Sequence, residues 1–385
     1  MLNLSLSFFF AYCIVAVISP YLQVMIHNLG YSYEVVGALL SLYEIAAIFG
    51  PMLVALWIDR SGRMKSSVLV CTVISMAAMG LLMTSSSIIM VIGALTLFAL
   101  TFRSIMPAMD SYTNNRYDGN SRSYSLVRSV GTVGFILLSL FFAATGLPDL
   151  RRNSAIGLWA IASSFLFLLT VIAWKDEPKR ALVLTTDLGK GGRWYDRAFV
   201  VGMVIIALNR LSLTAVTSFL SLFLVEELGI NAISLMNAIG AASEFFAMIG
   251  AGILLQKKRV LPYHLFAASS LAMVIRLLIY AFFPTVSGVL VGQLLHSVGY
   301  GAFQPAAIFF VARRVKRHRR TLGMSIYASL GTGLPAVVGS ALGGFIVQHY
   351  GYRTLFSRYA LFALASLLLT LIFSKTMRQE PLESV

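Results

Sequence analysis

Long apolar runs separated by short polar breaks dominate the pattern of this chain. Each run has roughly 20 residues or more, the length that an α-helix needs to cross a hydrocarbon core about 30 Å thick. The runs are continuously apolar and do not alternate between apolar and polar residues, so the pattern excludes a β-barrel. We predict twelve helices, at approximately 5–27, 34–57, 66–86, 88–112, 122–145, 153–174, 198–224, 232–255, 262–283, 286–311, 321–348 and 353–374.

The composition agrees with an integral membrane protein. Of the 385 residues, 58% are hydrophobic and 12% are charged, whereas soluble domains are about 25% charged. The mean hydropathy is +0.83. The first run lacks a basic N-terminal region and is too long for a signal peptide, so we expect a retained helix. Cys13 and Cys71 lie within predicted helices without disulfide or metal spacing, and we interpret them as packing residues.

The net charge of +15 could indicate nucleic-acid binding until the charges are placed along the chain. Most of the 30 Lys and Arg residues fall in alternate loops that share one side and in the C-terminal tail. By the positive-inside rule, this asymmetry predicts that both termini and the central loop are cytoplasmic. We interpret the densest basic run, RRVKRHRR at 313–320, as a topology signal that touches lipid headgroups, and we predict no nucleic-acid partner.

The chain also repeats itself. Residues 125–134 read SLVRSVGTVG and residues 325–334 read SIYASLGTGL, and the shared Ser and Gly positions suit close helix packing. A second echo relates 29–51 to 228–250, and the longest polar interruption is 175–197. Two six-helix halves related by an axis along the membrane normal are a known transporter architecture. The predicted organisation is an N-terminal six-helix half (1–174), a cytoplasmic central loop (175–197) and a C-terminal six-helix half (198–385).

Several ionisable side chains lie within the predicted helices, where each charge costs about 2.5–3.5 kcal/mol on insertion scales. They are Glu44, Arg103, Asp110, Arg128, Arg210, Glu244, Arg276 and His296. Such residues usually face a cavity or a partner, so we predict a solute pathway, although an Arg–carboxylate pair can also simply lock two helices. Arg128 departs from the repeat, because Ala328 occupies its position in the second copy.

A motif follows the second predicted helix, ALWIDRSGRMK at 55–65. Asp59, Arg60, Gly62 and Arg63 resemble the signature of the major facilitator superfamily at this loop. An aspartate near a helix end and its arginine partners can clasp neighbouring helices and hold one conformer. The resemblance covers the whole chain and implies the major facilitator fold, an all-α integral membrane protein with twelve transmembrane helices in two pseudo-symmetric six-helix halves.

Within that superfamily, the intramembrane residues resemble the branch of lactose permease and the phenylpropionate permease. The resemblance rests on PAMDSYTN, YSLVRSVGTVGF, SEFF, MVIRLLIY and GQLLHSVG. It implies that Asp110 and Arg128 bind solute. It also implies that Glu244 takes up a proton, and that Arg276 and His296 tune this proton site.

Two positions depart from lactose permease. The acid of the fourth helix is Asp110 rather than Glu, which shortens its reach. One turn after His296, where lactose permease carries its main coupling carboxylate, this chain has Gly299. Proton coupling would then be carried by Glu244, Asp110 or Glu44.

We therefore predict a secondary active transporter that couples uptake of a small organic solute to protons by alternating access. An acid beside an arginine and aromatic rings favours a sugar, glycoside or nucleoside, whereas the excess of intramembrane Arg over carboxylates favours an organic monocarboxylate. The alternative is a proton-coupled drug or lipid efflux antiporter, which the 16 Met and 26 Phe residues support. No phosphate loop, nucleophile–base spacing or metal cluster is present in the sequence, so we predict no enzymatic activity.

The expected partners are a small-molecule solute, protons (with sodium as the alternative ion) and the lipid bilayer, without a cofactor. We expect a monomer in the cytoplasmic (inner) membrane of a bacterium. The predicted functional residues are, for solute binding, Asp110, Arg128, Arg103, Phe135, Tyr12, Asn209 and Gln293; for proton coupling, Glu244, Arg276, His296 and Glu44; and for a conformational gate, Asp59, Arg60, Gly62 and Arg63, with no metal site.

Overall fold

The computed structural model describes residues 1–85, 87–117, 121–175, 195–316 and 319–378. Within these residues, eleven helical runs are long and apolar enough to cross a membrane. They are α1 (Leu2–His27), α2 (Tyr33–Ser61), α3 (Met64–Thr84), α4 (Ile88–Arg116), α5 (Ser121–Thr145), α6 (Asn153–Ile172), α7 (Arg197–Glu227), α8 (Ile233–Gln256), α9 (Pro262–Phe282), α10 (Val286–Arg314) and the run Leu322–Ile372.

The last run consists of two helices. Gly351 has a non-helical backbone with φ 75° and ψ 176°, a conformation that glycine adopts without strain. It separates α11 (322–350) from α12 (352–372), and a short helix, α13 (Ser374–Arg378), follows. The protein is thus a multi-pass membrane protein, and the predicted all-α fold with twelve transmembrane helices is confirmed.

The helix ends differ from the predicted ends where polar residues extend a helix. α2 continues to Ser61 and ends at Gly62, whose φ of 64° suits the left-handed cap that glycine favours. α4 continues to Arg116, and α10 continues to Arg314. A helix satisfies its own backbone hydrogen bonds and can run on beyond the hydrocarbon, so hydropathy alone places these ends too early.

The chain divides into two compact units. Unit 1 comprises Met1–Leu184 and Asn231–Ala238, and unit 2 comprises Thr185–Ile230 and Ile239–Val385. The first turns of α8 therefore belong to unit 1 and the rest of α8 to unit 2. Most of the predicted central loop, 175–197, lies outside the described residues, so a division of the chain at that loop stays a prediction.

Small residues hold the helices of unit 1 close together. There, α1 packs against α5 and α6, and α4 packs against α2 and α3. A Cβ atom on Gly134 of α5 would overlap the backbone of Phe9 on α1, and a Cβ atom on Gly131 would overlap the Tyr12 ring. Such close approach provides the van der Waals contact that holds helices together in lipid.

The repeated glycine has the same role in unit 2. There, α7 and α9 both pack against the run that contains α11 and α12. Gly331, the counterpart of Gly131, lies against Met203 of α7, so α11 approaches α7 as α5 approaches α1. The sequence relates the repeated serines, like the glycines, to close packing between helices. In the structure, the hydroxyls of Ser129 and Ser329 instead donate to carbonyls of their own helices.

In the described part of unit 2, three π-helical turns are present. They are Phe223–Glu227 at the end of α7, Ser297–Ala302 within α10 and Tyr327–Gly333 within α11. The described helices of unit 1 contain no such turn. Because π-turns occur frequently at functional sites, the turn that begins directly after His296 makes this part of α10 a candidate functional site.

Candidate functional site

An ion pair links α2 and α4 in unit 1. Arg103 Nη2 lies 3.4 Å from Glu44 Oε2, and the Arg103 guanidinium lies 5.6 Å from the centre of the Tyr43 ring. The Arg103 side chain is 44% exposed and that of Glu44 is 24% exposed. The pair therefore lies at an accessible surface of the unit, and Arg103 points to Glu44 rather than to Asp110 two turns further along α4.

A second polar cluster joins α1, α4 and α5. Arg128 Nε lies 3.5 Å from Asp110 Oδ1, and the Tyr124 hydroxyl donates to the same oxygen at 2.8 Å. Tyr12 adjoins the Arg128 guanidinium, and its ring packs on Gly131. The Arg128 side chain is 45% exposed and that of Asp110 is 30% exposed, so donors and acceptors of this cluster remain open to a solute.

Of the other predicted solute residues, one lies on α5 and two lie in unit 2. Phe135 is half-buried on α5. Asn209 is 1% exposed and donates to Ser270 Oγ at 3.3 Å. Gln293 is 3% exposed and accepts a hydrogen bond from Arg276. Both amides are engaged between helices of unit 2, and their role in solute binding stays a prediction.

In unit 2, Arg276, His296 and Glu244 form a continuous chain of contacts. Arg276 is 1% exposed and donates to Tyr280 Oη at 3.1 Å and to Gln293 Oε1 at 2.5 Å. Its Nη1 atom lies 2.8 Å from His296 Nδ1. On the other side of the imidazole, Nε2 lies 3.5 Å from Glu244 Oε2. The three predicted coupling residues of this unit are therefore brought together.

The geometry fixes the tautomer of His296. A guanidinium group only donates hydrogen bonds, so His296 Nδ1 must accept from Arg276. The neutral ring then carries its hydrogen on Nε2, directed towards Glu244. A second proton, on Nδ1, would face the Nη1 donor of Arg276, so this contact favours the neutral ring.

The π-turn of α10 shapes the surroundings of this chain. Gly301 lies in the turn, and a Cβ atom on it would overlap the backbone of Glu244, so the glycine permits α8 and α10 to approach closely. Gly299 accepts a hydrogen bond from Ser269 Oγ at 2.6 Å and is buried. The position at which lactose permease has a carboxylate is here part of the packing against α9.

A second buried arginine lies near the chain of contacts formed by Arg276, His296 and Glu244, hereafter called the relay. Arg210 of α7 is 8% exposed, and its Nη2 donates to Gln304 Oε1. The guanidinium carbon lies 4.6 Å from the centre of the Tyr300 ring and 5.5 Å from that of Phe303. Tyr327 donates to the same Gln304 oxygen at 3.0 Å. Arg210 was among the predicted intramembrane charges but not among the predicted site residues.

The predicted gate residues lie at the end of α2. Asp59, Arg60 and Arg63 are exposed, and Asp59 forms no ion pair with another described residue. Gly62 caps the helix, and Lys65 Nζ donates to the Trp174 carbonyl at the end of α6 at 2.8 Å. The motif thus joins α2 to α3 by a tight turn, and its gating role stays a prediction.

The model of the MFS_1 like family matches residues 1–358, which is nearly the whole chain. The chain belongs to this family. It is a transporter of the major facilitator type, as the motif at 55–65 predicted, and it is not an enzyme. The finer assignment to the lactose permease branch stays a proposal.

Two relatives illustrate the relationship of this MFS_1 like transporter to other proteins. It is 25% identical over 360 residues to the "Uncharacterized transporter YwbF" of Bacillus subtilis, covering 92% of this chain and 86% of the relative. It is 30% identical over 215 residues to the "Multi-drug resistance efflux pump PmrA" of Streptococcus pneumoniae, with 54% of this chain and 47% of the pump covered. The chain thus spans about half of that pump.

The fold of this MFS_1 like transporter is also that of a solved structure. The nucleoside transporter NupG, in the form of a point mutant, superimposes with a TM-score of 0.83 over 98% of this chain and 99% of that chain, at 18% sequence identity. Such a likeness shows the fold alone. It agrees with the major facilitator architecture described above.

A buried ion pair of this MFS_1 like transporter contrasts with the accessible ones. Arg314, at the end of α10, lies 2.8 Å from Asp196, and their side chains are 6% and 21% exposed. Arg314 also donates to the Met377 carbonyl at 2.7 Å, while Asp196 accepts from the Phe199 amide at the start of α7. These contacts fix α7, α10 and α13 to one another, so this pair is structural.

Unit 2 of this MFS_1 like transporter also has a cavity of about 450 Å³ along α11 and α12. Leu342, Ile346, Tyr350, Thr354, Arg358, Leu361 and Phe362 line it. None of the predicted site residues lies on its wall, so it is separate from the clusters described above.

Proposed function

We propose that this transporter moves a small organic solute together with protons by alternating access across the cytoplasmic membrane of a bacterium. The observation that supports it best is the chain from Arg276 through His296 to Glu244. Buried or half-buried charges are costly in a membrane protein and usually mark ion or substrate pathways. A carboxylate whose partner is a neutral imidazole is suited to bind and release a proton as its surroundings change.

The coupling follows from the linkage between two equilibria. A carboxylate away from water favours its protonated form, whereas water or a nearby cation favours its ionised form. A change of conformation that opens Glu244 to water therefore changes its affinity for a proton. If solute and proton bind the same conformer preferentially, each strengthens the binding of the other.

We assign solute recognition to the cluster of Asp110 and Arg128, with Tyr124 and Tyr12 beside it. It presents a carboxylate acceptor, a guanidinium donor and two phenol groups on one accessible face. Such a set suits a sugar, glycoside or nucleoside by hydrogen bonding and stacking, or an organic monocarboxylate by its arginine.

The second candidate function is proton-coupled efflux of drugs or lipids. It is favoured by the 30% identity to a protein named as a multi-drug resistance efflux pump, over about half of each chain. The buried charges are common to both functions, so the direction of solute movement decides between them.

We further propose that both termini face the cytoplasm and that the protein acts as a monomer, with 175–197 as the cytoplasmic loop between two six-helix halves. The distribution of Lys and Arg supports this orientation. Single cysteines introduced at Ser374 and at Asp149 would be labelled from opposite sides of the membrane by an impermeant maleimide.

The test uses the purified protein in liposomes. A thermal-shift screen against sugars, nucleosides, organic acids and cationic drugs first identifies a ligand, because a ligand of the folded state raises the unfolding temperature. Uptake of that ligand should then acidify the lumen and should collapse when the pH gradient and membrane potential are removed. Uptake that ignores both gradients would refute symport, and proton-driven expulsion would establish the efflux alternative.

Glu244→Gln is the decisive variant for the coupling site. It should retain ligand binding but lose uptake driven by the proton gradient, because an amide cannot carry the proton. Glu227→Gln, at an exposed carboxylate at the end of α7, is the matched control and should behave as the wild type. Gradient-driven uptake by Glu244→Gln at the wild-type rate would exclude Glu244 as the proton carrier.

A further inference from the structure

Of the eight ionisable side chains that the sequence analysis places within the membrane, all but Arg210 are joined in described contacts between positive and acidic groups. The pairs are Arg103 with Glu44, Arg128 with Asp110, and Arg276 with Glu244 through His296. Arg210 has no ion pair with any acidic side chain in the described part of the chain. The excess of positive charge that the sequence shows is therefore located in unit 2, at Arg210.

The surroundings of Arg210 are neutral and incompletely satisfied. Its side chain is more than nine-tenths buried, yet its Nε atom has no hydrogen-bond partner. Its Nη2 atom donates to Gln304 Oε1, which also accepts from Tyr327, and Tyr300 is a further side-chain hydrogen-bond partner of the guanidinium. The faces of Tyr300 and Phe303 cover the guanidinium. A buried guanidinium with a free donor and no described acidic side chain within ion-pair distance lacks the directly paired counter-ion that such groups normally require.

We propose that Arg210 binds the anionic group of the transported solute and that the solute is an organic monocarboxylate. This inference rests on the transport function proposed above, selects one of its two solute classes, and places the solute carboxylate at Arg210 rather than at Arg128. The solute carboxylate would accept hydrogen bonds from the guanidinium, including the free Nε donor, in the planar geometry that arginine and carboxylate share. The aromatic faces of Tyr300 and Phe303 exclude water from that contact, which strengthens it.

The same arrangement links the anion to the proton. Tyr300 stacks on His296, with the ring centres 5.3 Å apart, and lies under Arg210. The site for the anion is thus adjacent to the relay that ends at Glu244. When Glu244 is ionised it opposes a second negative charge nearby, and when it is protonated this opposition disappears. Proton binding and anion binding therefore favour each other.

The test compares acids with their amides, which differ in charge but hardly in shape. Purified wild-type protein is titrated with benzoate, 3-phenylpropionate and lactate, with the amide of each, and with lactose and uridine as neutral hydroxyl-rich probes. We expect at least one acid to bind ten times or more tightly than its amide. Arg210→Gln should weaken binding of that acid by about 10- to 150-fold, the effect of losing a charge-assisted hydrogen bond. Binding of the amide should not change.

Three further variants make the result specific. Arg210→Lys keeps the charge but not the planar fork, so it should recover part of the acid affinity. Glu244→Gln removes the opposing charge and should bind the acid at least as tightly as the wild type. Arg358→Gln removes an exposed arginine from the wall of the α11–α12 cavity in the same unit, and should retain the full preference for the acid.

Thermal unfolding without ligand separates a binding role from a structural one. Because Arg210 is buried without a counter-ion, Arg210→Gln should unfold at the same temperature as the wild type or at a higher one. A lower unfolding temperature, together with unchanged preference for the acid, would make Arg210 a helix clamp and overturn the proposal.

The remaining outcomes are equally decisive. Arg210 is not the anion site if no acid binds the wild-type protein better than its amide does, which includes the case of no binding at all. It is also not the anion site if Arg358→Gln, rather than Arg210→Gln, loses the preference for the acid over its amide. Acid-selective binding through Arg210 without proton movement in liposomes would support this assignment and refute symport. Proton-driven uptake of lactose or uridine by Arg210→Gln would refute this assignment and support symport.

Discussion

Replacing Arg128 by Ala distinguishes a solute site from a helix clamp. Two unit charges 3.5 Å apart attract each other by about 5 kcal/mol at an effective dielectric constant of 20. Ion pairs that are open to solvent nevertheless contribute only about 0.2–1 kcal/mol, because water screens them and ordering their side chains costs entropy. The Arg128 and Asp110 side chains are 45% and 30% exposed, so we expect Arg128→Ala to lower the free energy of unfolding by about 1 kcal/mol at most.

The effect on solute binding should be much larger. A charge-assisted hydrogen bond from the guanidinium to a solute is worth about 1.5–3 kcal/mol, so the loss of one such bond weakens binding about 10- to 150-fold. The loss of at most about 1 kcal/mol of stability expected for Arg128→Ala lowers the unfolding temperature by no more than about 2–4 °C in domains of 150–250 residues. A large loss of affinity with a small loss of stability is the signature of a binding residue.

Arg314→Ala provides the opposite control. The Arg314–Asp196 pair is shorter, at 2.8 Å, and the Arg314 side chain is only 6% exposed. Removing one partner of a buried pair leaves an uncompensated charge and costs about 3–5 kcal/mol. We therefore expect Arg314→Ala to unfold at a clearly lower temperature while the surviving protein binds solute normally.

The assay combines fluorescence-detected unfolding of the purified protein in detergent with equilibrium binding of the ligand found in the thermal-shift screen. Both variants and the wild type are measured side by side at one pH and ionic strength. If Arg128→Ala is destabilised as strongly as Arg314→Ala and still binds the ligand with wild-type affinity, Arg128 is a clamp and the assignment of the solute cluster is wrong.

Two other predictions concern packing and the solute cluster. Gly134→Ala should cost about 1–3 kcal/mol of stability, because its Cβ atom would overlap the backbone of Phe9. Gly93 has open space around it, so Gly93→Ala should be neutral or gain up to about 1 kcal/mol of stability from helix propensity. Equal unfolding temperatures for the two variants would contradict this prediction. Tyr124→Phe removes the 2.8 Å hydrogen bond to Asp110 and should weaken solute binding about tenfold with little change in unfolding temperature, whereas unchanged affinity would argue against that carboxylate as a solute ligand.

The fold was accessible from the sequence because a lipid environment leaves few alternatives. Each span must be long, apolar and helical, and the break near Gly351 was visible as a short interruption between two predicted helices. The ends of α2 and α4 were not accessible in this way. They depend on a glycine cap at Gly62 and on polar turns beyond the hydrocarbon, neither of which changes the mean hydropathy of a span.

The members of the candidate clusters were predicted more successfully than their partners. A charged residue stands out in an apolar helix, so Arg103, Glu44 and Arg210 were all noticed. Arg103 and Asp110 are seven residues apart, a spacing that predicts one shared helix face, whereas the structure pairs Arg103 with Glu44 of another helix. Partners on different helices depend on how the helices rotate against each other, and no periodicity within one helix records that rotation. The distinctive property of Arg210 is that it lacks an acidic partner among the described residues, and a sequence does not record which side chains are in contact.

Comparison of the two copies of the repeat explains why we assign proton uptake to Glu244 rather than Glu44. The echo of 29–51 in 228–250 makes these two acids counterparts, and the shared prolines of α4 and α10, Pro107 and Pro305, align Arg103 with Gly301.

In unit 1 Arg103 of α4 pairs with Glu44. The Arg103 guanidinium is a permanent cation. In unit 2 the aligned position is Gly301, which carries no side chain and lies against the backbone of Glu244. The carboxylate of Glu244 instead faces His296, a neutral donor whose other nitrogen is occupied by Arg276. A permanent cation stabilises the ionised form of a neighbouring carboxylate more than a neutral imidazole does. This difference between the copies supports the proposal that Glu244 rather than Glu44 takes up the proton.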